Sequence, residues 1–412
     1  MFLTKLATKN LWRHRNRTLI TAIIIAFAVF FYILMDSFIG GMVEMSYDGV
    51  IDYEAGHLQI VKGEYWDEEE ELPLENLLTV DKELMSVVEG LEGYQASSAE
   101  LNFFAQLNNG INELPVIGKG VIPEKLLQVF KLEGQFVEGE MFSTGEYRAV
   151  MGKRLADLLK LEIGDYITLL VRDKNETFNT IDVEISGLVH TANLNVNNNF
   201  VYLPLDLTQQ AHNVGDQVSK LIVRLNDQSL AMDVVGQLEK NLKKNNSNIT
   251  VIPWEELEAI SFGEMAEIEN QLVLSIILLI AAIAIINTVI LSALERMKEI
   301  GMMKALGLQT REVVYTFVLE STGVGLLGGL IGLLLGIAGV WLFTKFGVNW
   351  EAIMGIDMST FGMPVMGKTY GIWNPGAFLF VFAFAVLVSL LSSILPAYWA
   401  ASKDPVESIY HH

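Results

Sequence analysis

Cysteine is absent from the 412 residues, so no disulfide can staple a folded region and no thiolate can act as nucleophile or metal ligand. Histidine is nearly as scarce. Among the six, His57, His190 and His212 stand far apart and provide no metal-ligand spacing. Carboxylates are plentiful but form no diagnostic acid–base pair. Basic residues are few, 28 against 49 acidic, for a net charge of −21, which argues against nucleic acid as a partner. These absences leave no catalytic, cofactor-binding or metal residue to nominate within the chain.

Charge itself is missing from four windows: Thr18 to Met35, Gln271 to Leu294, Ser321 to Thr344 and Pro375 to Ser402. A bilayer core needs about 20 mostly apolar residues per helix, and a central Lys, Arg or Asp costs about 2.5 to 3.5 kcal/mol there. The windows therefore predict a membrane α-helical bundle of four transmembrane helices, over 18–42, 271–294, 313–344 and 375–402. The first is too long for a signal peptide and reads as a retained anchor.

Lysine and arginine near the helix ends set the expected orientation. Lys5, Lys9, Arg13, Arg15 and Arg17 precede the first helix, and Arg296, Lys298, Lys304 and Arg311 join the second to the third. Only Lys345 and Lys368 lie between the third and fourth. The positive-inside rule then puts both termini and the 295–312 loop in the cytoplasm, and 43–265 and 345–374 outside. Phe2, Leu3, Leu6, Leu11 and Trp12 against Lys5, Lys9 and Arg13 suggest an interfacial helix over 1–17. Residues 403–412 form a cytoplasmic tail.

Residues 43–291 hold 16 basic and 40 acidic groups, so the outer region carries nearly all the negative charge. Its patterns suggest an α+β body. Gly56–Val61 and Lys220–Leu225 read as strands, followed by helices over 81–91, behind a capping Asp81, and over 229–244. Ile249–Ile252 is a third strand. Two strand–helix units bracketing the domain suggest split ferredoxin-like halves over about 43–111 and 216–265. Asp165–Val171, the alternation through Ile181–Ser186, and Phe200–Leu205 suggest a β-rich insert over about 112–215. The acidic Trp66–Glu71 and the Asn-rich Asn193–Asn199 read as solvated loops.

Two phosphate-binding strings fail their context. Gly362–Thr369 (GMPVMGKT) follows no buried strand and opens no helix, and Gly323, Gly325 and Gly328 lie inside an apolar span. Gly325 and Gly329, and the series Gly328, Gly332 and Gly336, instead repeat every four residues, as close helix packing requires. Each glycine costs about 1 kcal/mol against alanine in a helix, so seven between Gly323 and Gly339 imply a packing purpose.

The 295–312 loop is the most informative short segment. Gly301 and Gly307 bound a helical turn carrying Met302, Met303 and Leu306, with Thr310 and Glu312 as the expected cap and first turn of the next helix. Burying a Met or Leu contributes about 1.5 to 3 kcal/mol. Two or three of them buried differently in two states supply the roughly 5.5 kcal/mol that moves a population from one extreme to the other.

ERMKEIGMMKALG at 295–307, NLWRHRNRT before the first span and LPAYWAASKDPVESI after the last resemble the FtsX-like ABC permease superfamily, which includes the lipoprotein-releasing Lol permeases and the exporter MacB. VMGKRLADLLKLEIGDYITLL (150–170), ISGLV (185–189) and FVYLPL (200–205) resemble the porter and sabre parts of the outer domain in these proteins. The resemblance implies a mechanotransmission permease closest to LolC/LolE, with a porter-like body, a sabre-like subdomain at 112–215 and a short hairpin near Val171–Ile181. It implies that Glu295, Arg296, Lys298, Glu299, Gly301, Met302, Met303, Ala305, Leu306 and Gly307 engage a separate cytoplasmic ABC ATPase dimer, which uses the ATP, so the chain itself is no enzyme. The implied partners are a second copy or related permease, lipoprotein or other amphiphilic cargo and a periplasmic carrier, in a bacterial inner membrane. A MacB-like efflux permease and an FtsX-like regulator of a cell-wall hydrolase are the alternative expectations.

Overall fold

The computed structural model describes residues 15–243, 248–355 and 367–402. The interfacial helix expected over 1–17 falls mostly outside these residues, as do most of the 362–369 string and the 403–412 tail. The described residues divide into two compact units, one from 15–43, 266–350 and 368–402, the other from 44–243, 248–265, 351–355 and 367.

Among the described residues, four helices are long and apolar enough to cross a membrane: Arg15–Val50, Glu258–Glu295, Thr310–Phe346 and Pro375–Ser402. The first runs on to Val50, eight residues beyond the expected 18–42, and carries Asp36 within it. A helix satisfies its own backbone hydrogen bonds, so only the carboxylate needs an answer, and Asn374 Nδ2 donates to it at 3.3 Å. The third begins one residue earlier than expected: Gln309, not Thr310, is the cap. Its side chain and that of Glu312 form a reciprocal capping box, with Gln309 N donating to Glu312 at 2.9 Å.

Within this unit Ile25, Val29 and Ile33 of the first helix share a buried core with Ile285 and Val289 of the second, Val324 and Val340 of the third, and Val381 and Ala385 of the fourth. The outward sides stay apolar and exposed, as at Phe27, Ile280, Leu334 and Leu395. Such surfaces suit hydrocarbon rather than water.

The second unit is built on strands β1 (Leu58–Lys62), β2 (Leu78–Thr79), β3 (Tyr94–Asn108), β4 (Glu113–Val121), β5 (Phe136–Gly139), β6 (Arg148–Gly152), β7 (Tyr166–Arg172), β8 (Phe178–Val189), β9 (Phe200–Pro204), β10 (Gln217–Val218), β11 (Lys220–Leu225) and β12 (Ile249–Pro253). Ten form one sheet in the order β12-β1-β11-β3-β4-β9-β6-β8-β5, with β7 paired to β3 and β8. The 111/112 boundary falls in the turn of the β3–β4 hairpin. The long β3 pairs with β11 through Tyr94–Glu100 and with β7 through Gln106–Asn108, so bracketing halves and insert share one sheet. Its length makes this so: at about 3.4 Å per residue, fifteen residues outreach either half.

Helices Lys82–Glu89 and Ala231–Lys243 bury Leu84, Val88, Val234 and Leu238 on Leu58, Ile60 and Val223, and Asp81 caps the first by accepting from Leu84 N at 2.8 Å. The Asn-rich segment is not a solvated loop. Asn193 accepts from Asn195 N (2.8 Å) and Val196 N (3.2 Å) to cap helix Leu194–Asn198, and buried Asn197 exchanges bonds of 2.8 and 2.7 Å with Thr191. Amide side chains replace water here because each offers both donor and acceptor. Nor is the acidic run wholly solvated: Glu69 pairs with Lys220 at 2.9 Å.

Candidate coupling site

The backbone between the second and third long helices makes a helix of nine residues, Met297–Ala305, rather than the single turn bounded by Gly301 and Gly307. Arg296, outside helical geometry with φ −100° and ψ 9°, separates it from the helix ending at Glu295. Its carbonyl nevertheless accepts from Ile300 N at 3.0 Å, starting the new helix. Gly301 lies buried inside that helix. Gly307 closes it: Leu306, Gly307 and Leu308 N–H groups return to Met302, Lys304 and Met303 carbonyls at 3.0, 2.9 and 3.2 Å. Gly307 takes φ +98°, a conformation that favours glycine.

One side of the short helix is anchored. Ile300 is buried with Ala293, Val313, Phe317, Ala397 and Ala401, from all three neighbouring long helices, and Met303 packs partly against this cluster. The other side is presented outward: Met302 is 53% and Leu306 83% exposed, with Ala305 beside them. Of the three apolar residues expected on the surface, two are there and Met303 is turned inward, because a nine-residue helix has an inner face that a single turn lacks.

Arg296 is buried too. Its Nη1 donates to Glu320 on the third helix, its Nε to Glu299 at 2.9 Å, and its guanidinium lies 5.9 Å from the Phe317 ring. Thr18, Thr21, Ser292 and Ser321 line the small polar cavity beside the pair. Glu320 was not nominated from sequence. The available signal was an acidic residue flush against the Ser321–Thr344 window, since an ionisable group in an apolar span calls for a partner. Glu295 is exposed, Glu299 and Lys304 are half-buried, and Lys298 belongs to the same helix.

The glycines of the third helix face two neighbours rather than one. A Cβ on Gly328 or Gly332 would come within 2.7 Å of Ala22 O or 2.6 Å of Ala26 O, and one on Gly336 within 2.7 Å of Ile33 Cδ1. The first helix therefore runs backbone-close along this series. Gly325 and Gly329 instead meet Ser389 at 2.7 Å and Phe382 at 2.9 Å on the fourth. Among the described residues, no group of three or more His, Asp or Glu side chains is placed to hold a metal ion.

Comparison with known proteins places this architecture. The family model of the MacB-like periplasmic core domain matches residues 18–241, over half of the chain, and that of the FtsX-like permease C-terminal region matches 272–405. The chain belongs to the MacB/FtsX/LolC family of ABC transporter permeases. Within this permease family it is 27% identical to an uncharacterized ABC transporter permease of Methanocaldococcus jannaschii over 70% of this chain and 69% of that one. It is 23% identical to the lipoprotein-releasing system transmembrane protein LolC of Xylella fastidiosa, over 74% and 75%. Among solved structures, the periplasmic region of MacB from Actinobacillus actinomycetemcomitans aligns with 50% of this chain and 93% of its own, at 11% identity and a TM-score of 0.37. Permeases of this family are membrane subunits that work with cytoplasmic ABC ATPases.

Proposed function

We propose that this permease is a mechanotransmission subunit that converts ATP hydrolysis by a separate cytoplasmic ATPase dimer into motion of its sheet-built domain on the outer side. In this role it moves lipoproteins or other amphiphilic cargo out of the bacterial inner membrane. The observation that carries the proposal is the two-sided helix Met297–Ala305, anchored within the bundle through Ile300 while offering Met302 and Leu306 to a partner. Covering what those two side chains still expose contributes about 2 to 4 kcal/mol, a large share of the roughly 5.5 kcal/mol of a full population switch. The basic residues of the amino-terminal segment and the 295–312 loop support a cytoplasmic site for this helix. Likeness to LolC supports lipoprotein cargo, and apolar side chains such as Phe27 and Ile280 suit a second copy or related permease as well as lipid.

Co-purification with a co-expressed cytoplasmic ABC ATPase of the same organism tests the proposal. Met302→Glu with Leu306→Glu abolishes the association and leaves the permease folded; unchanged association overturns it. The match of 18–241 to the MacB-like core supports a second reading, an efflux permease with a separate ATPase. Photo-crosslinkers in the second unit capture acylated lipoproteins under the first reading and small amphiphiles under the second.

A further inference from the structure

Strand alternation sends Leu101, Phe103 and Ala105 of β3 into the apolar core, and so turns Glu100, Asn102 and Phe104 to the opposite face. Register places Lys220 opposite Glu100, Lys119 opposite Asn102, and Ile117 opposite Phe104. The polar members of this face are not in water. Glu100 is 0%, Lys119 2% and Asn102 3% exposed, beneath a pocket of about 280 Å3 whose rim includes Leu72, Glu54, Glu69 and Glu70.

Both lysines already have partners. Lys220 donates to Glu69 at 2.9 Å and to Gln59 at 3.1 Å. Burial works against its charge, but Glu69, Tyr65 and Glu100 outweigh burial and raise its pKa. Lys119 lies 3.5 Å from Glu100 and 4.1 Å from the centre of the Phe200 ring. Of the buried polar atoms left without a partner here, Asn102 Oδ1 lines the pocket itself, while Glu100 Oε1 and the hydroxyls of Ser98, Tyr65 and Tyr202 lie outside its lining. A buried acceptor without a donor costs stability and is rare, so one that lines a pocket points to a ligand that supplies the donor. Four carboxylates, Glu54, Glu69, Glu70 and Glu100, surround two lysines, so that ligand is favoured as a cation. Phe104, 55% exposed at the mouth, adds an aromatic face that attracts cations and apolar groups alike.

We propose that this pocket binds the ammonium or guanidinium end of an amphiphilic molecule, with Asn102 accepting from the cationic head and Phe104, Ile117 and Leu72 holding its apolar part. The site is assigned independently of the cargo and of the ATPase.

Titration of the purified full-length protein with benzylammonium, with benzyl alcohol as the neutral control, tests it. Benzylammonium binds saturably and at least tenfold more tightly than the alcohol. Asn102→Leu, which removes the unpaired acceptor at similar volume, weakens binding at least tenfold while leaving the thermal midpoint equal or higher. Phe104→Ala, on an exposed side chain, weakens binding with an unchanged midpoint and decides the matter should the Leu variant misfold. A short peptide with one Lys between apolar residues, titrated in parallel, separates a protein-borne cation from a free amine. Equal binding of benzylammonium and benzyl alcohol, or wild-type binding by both variants, overturns the assignment and leaves a pocket that holds water only.

Discussion

Arg296 and Glu320 hold opposite charges against each other with side chains only 5% and 7% exposed, joining the break before the short helix to the third long helix. The contact explains how a segment with two outward-facing apolar residues can be rigidly attached: the guanidinium fork engages Glu299 on the short helix and Glu320 on the long one at once.

Removing Arg296 strands the buried Glu320 carboxylate, whereas removing Glu320 leaves Arg296 its contact with Glu299. Arg296→Met alone is expected to destabilise the protein by about 3 to 5 kcal/mol, Glu320→Leu alone by less, and the double substitution to recover most of the Arg296→Met loss. Thermal or detergent unfolding of the four proteins forms a complete double-mutant cycle. Additive losses in the double variant would show that the two side chains do not answer each other.

Glycine substitutions should separate by position. Gly332→Val thrusts a Cβ to 2.6 Å from the carbonyl oxygen of Ala26, and as backbone cannot step aside, a loss of about 1 to 3 kcal/mol is expected. Gly236, within helix Ala231–Lys243, has nothing within 4 Å of its Cβ. Gly236→Ala should therefore raise stability by about 1 kcal/mol. Unfolding midpoints that move in the same direction for both would contradict the packing described.

His57 supplies a pH dependence. Burial, then the nearby Arg224, lowers its pKa from 6.5 to about 4, and its Nδ1 accepts from Leu225 N at 3.0 Å. The unfolded chain thus binds a proton that the folded one refuses. The stability from this group is complete above about pH 6.5 and is lost as pH falls towards 4, to an extent of roughly 3 kcal/mol. His57→Asn keeps an acceptor for Leu225 and should flatten the curve over that window. Parallel pH profiles of wild type and variant would exclude the assignment.

Asn193 caps its helix and also donates to Glu54 at 2.7 Å. Asn193→Ala should cost about 1 to 2 kcal/mol, and Asn199→Ala, whose amide bonds only Asn195 at 3.5 Å on the surface, much less. Denaturant midpoints measure the difference, and equal losses would remove the capping explanation.

The four spans, the capping Asp81 and strands such as Lys220–Leu225 were legible in the sequence because each is a local property: uncharged length, a side chain facing its own backbone, or a period of two. Asn193–Asn199 was misjudged because composition alone cannot tell an amide bonded to water from one bonded to protein. The single sheet was hidden for a related reason. Nothing local in Tyr94–Asn108 reveals that its two ends pair with strands more than a hundred and about sixty residues away.

The segment 295–307 divides the same way. Its apolar residues, its glycines and its place between two spans are written in the residues 295–307, and charge-free length by itself dictated that the flanking helices be apolar on their outer sides. Which methionine faces out, where Arg296 spends its charge and which neighbour each glycine admits were settled only on folding. Burial and ion pairing depend on side chains brought together from distant helices, and no local pattern encodes that meeting.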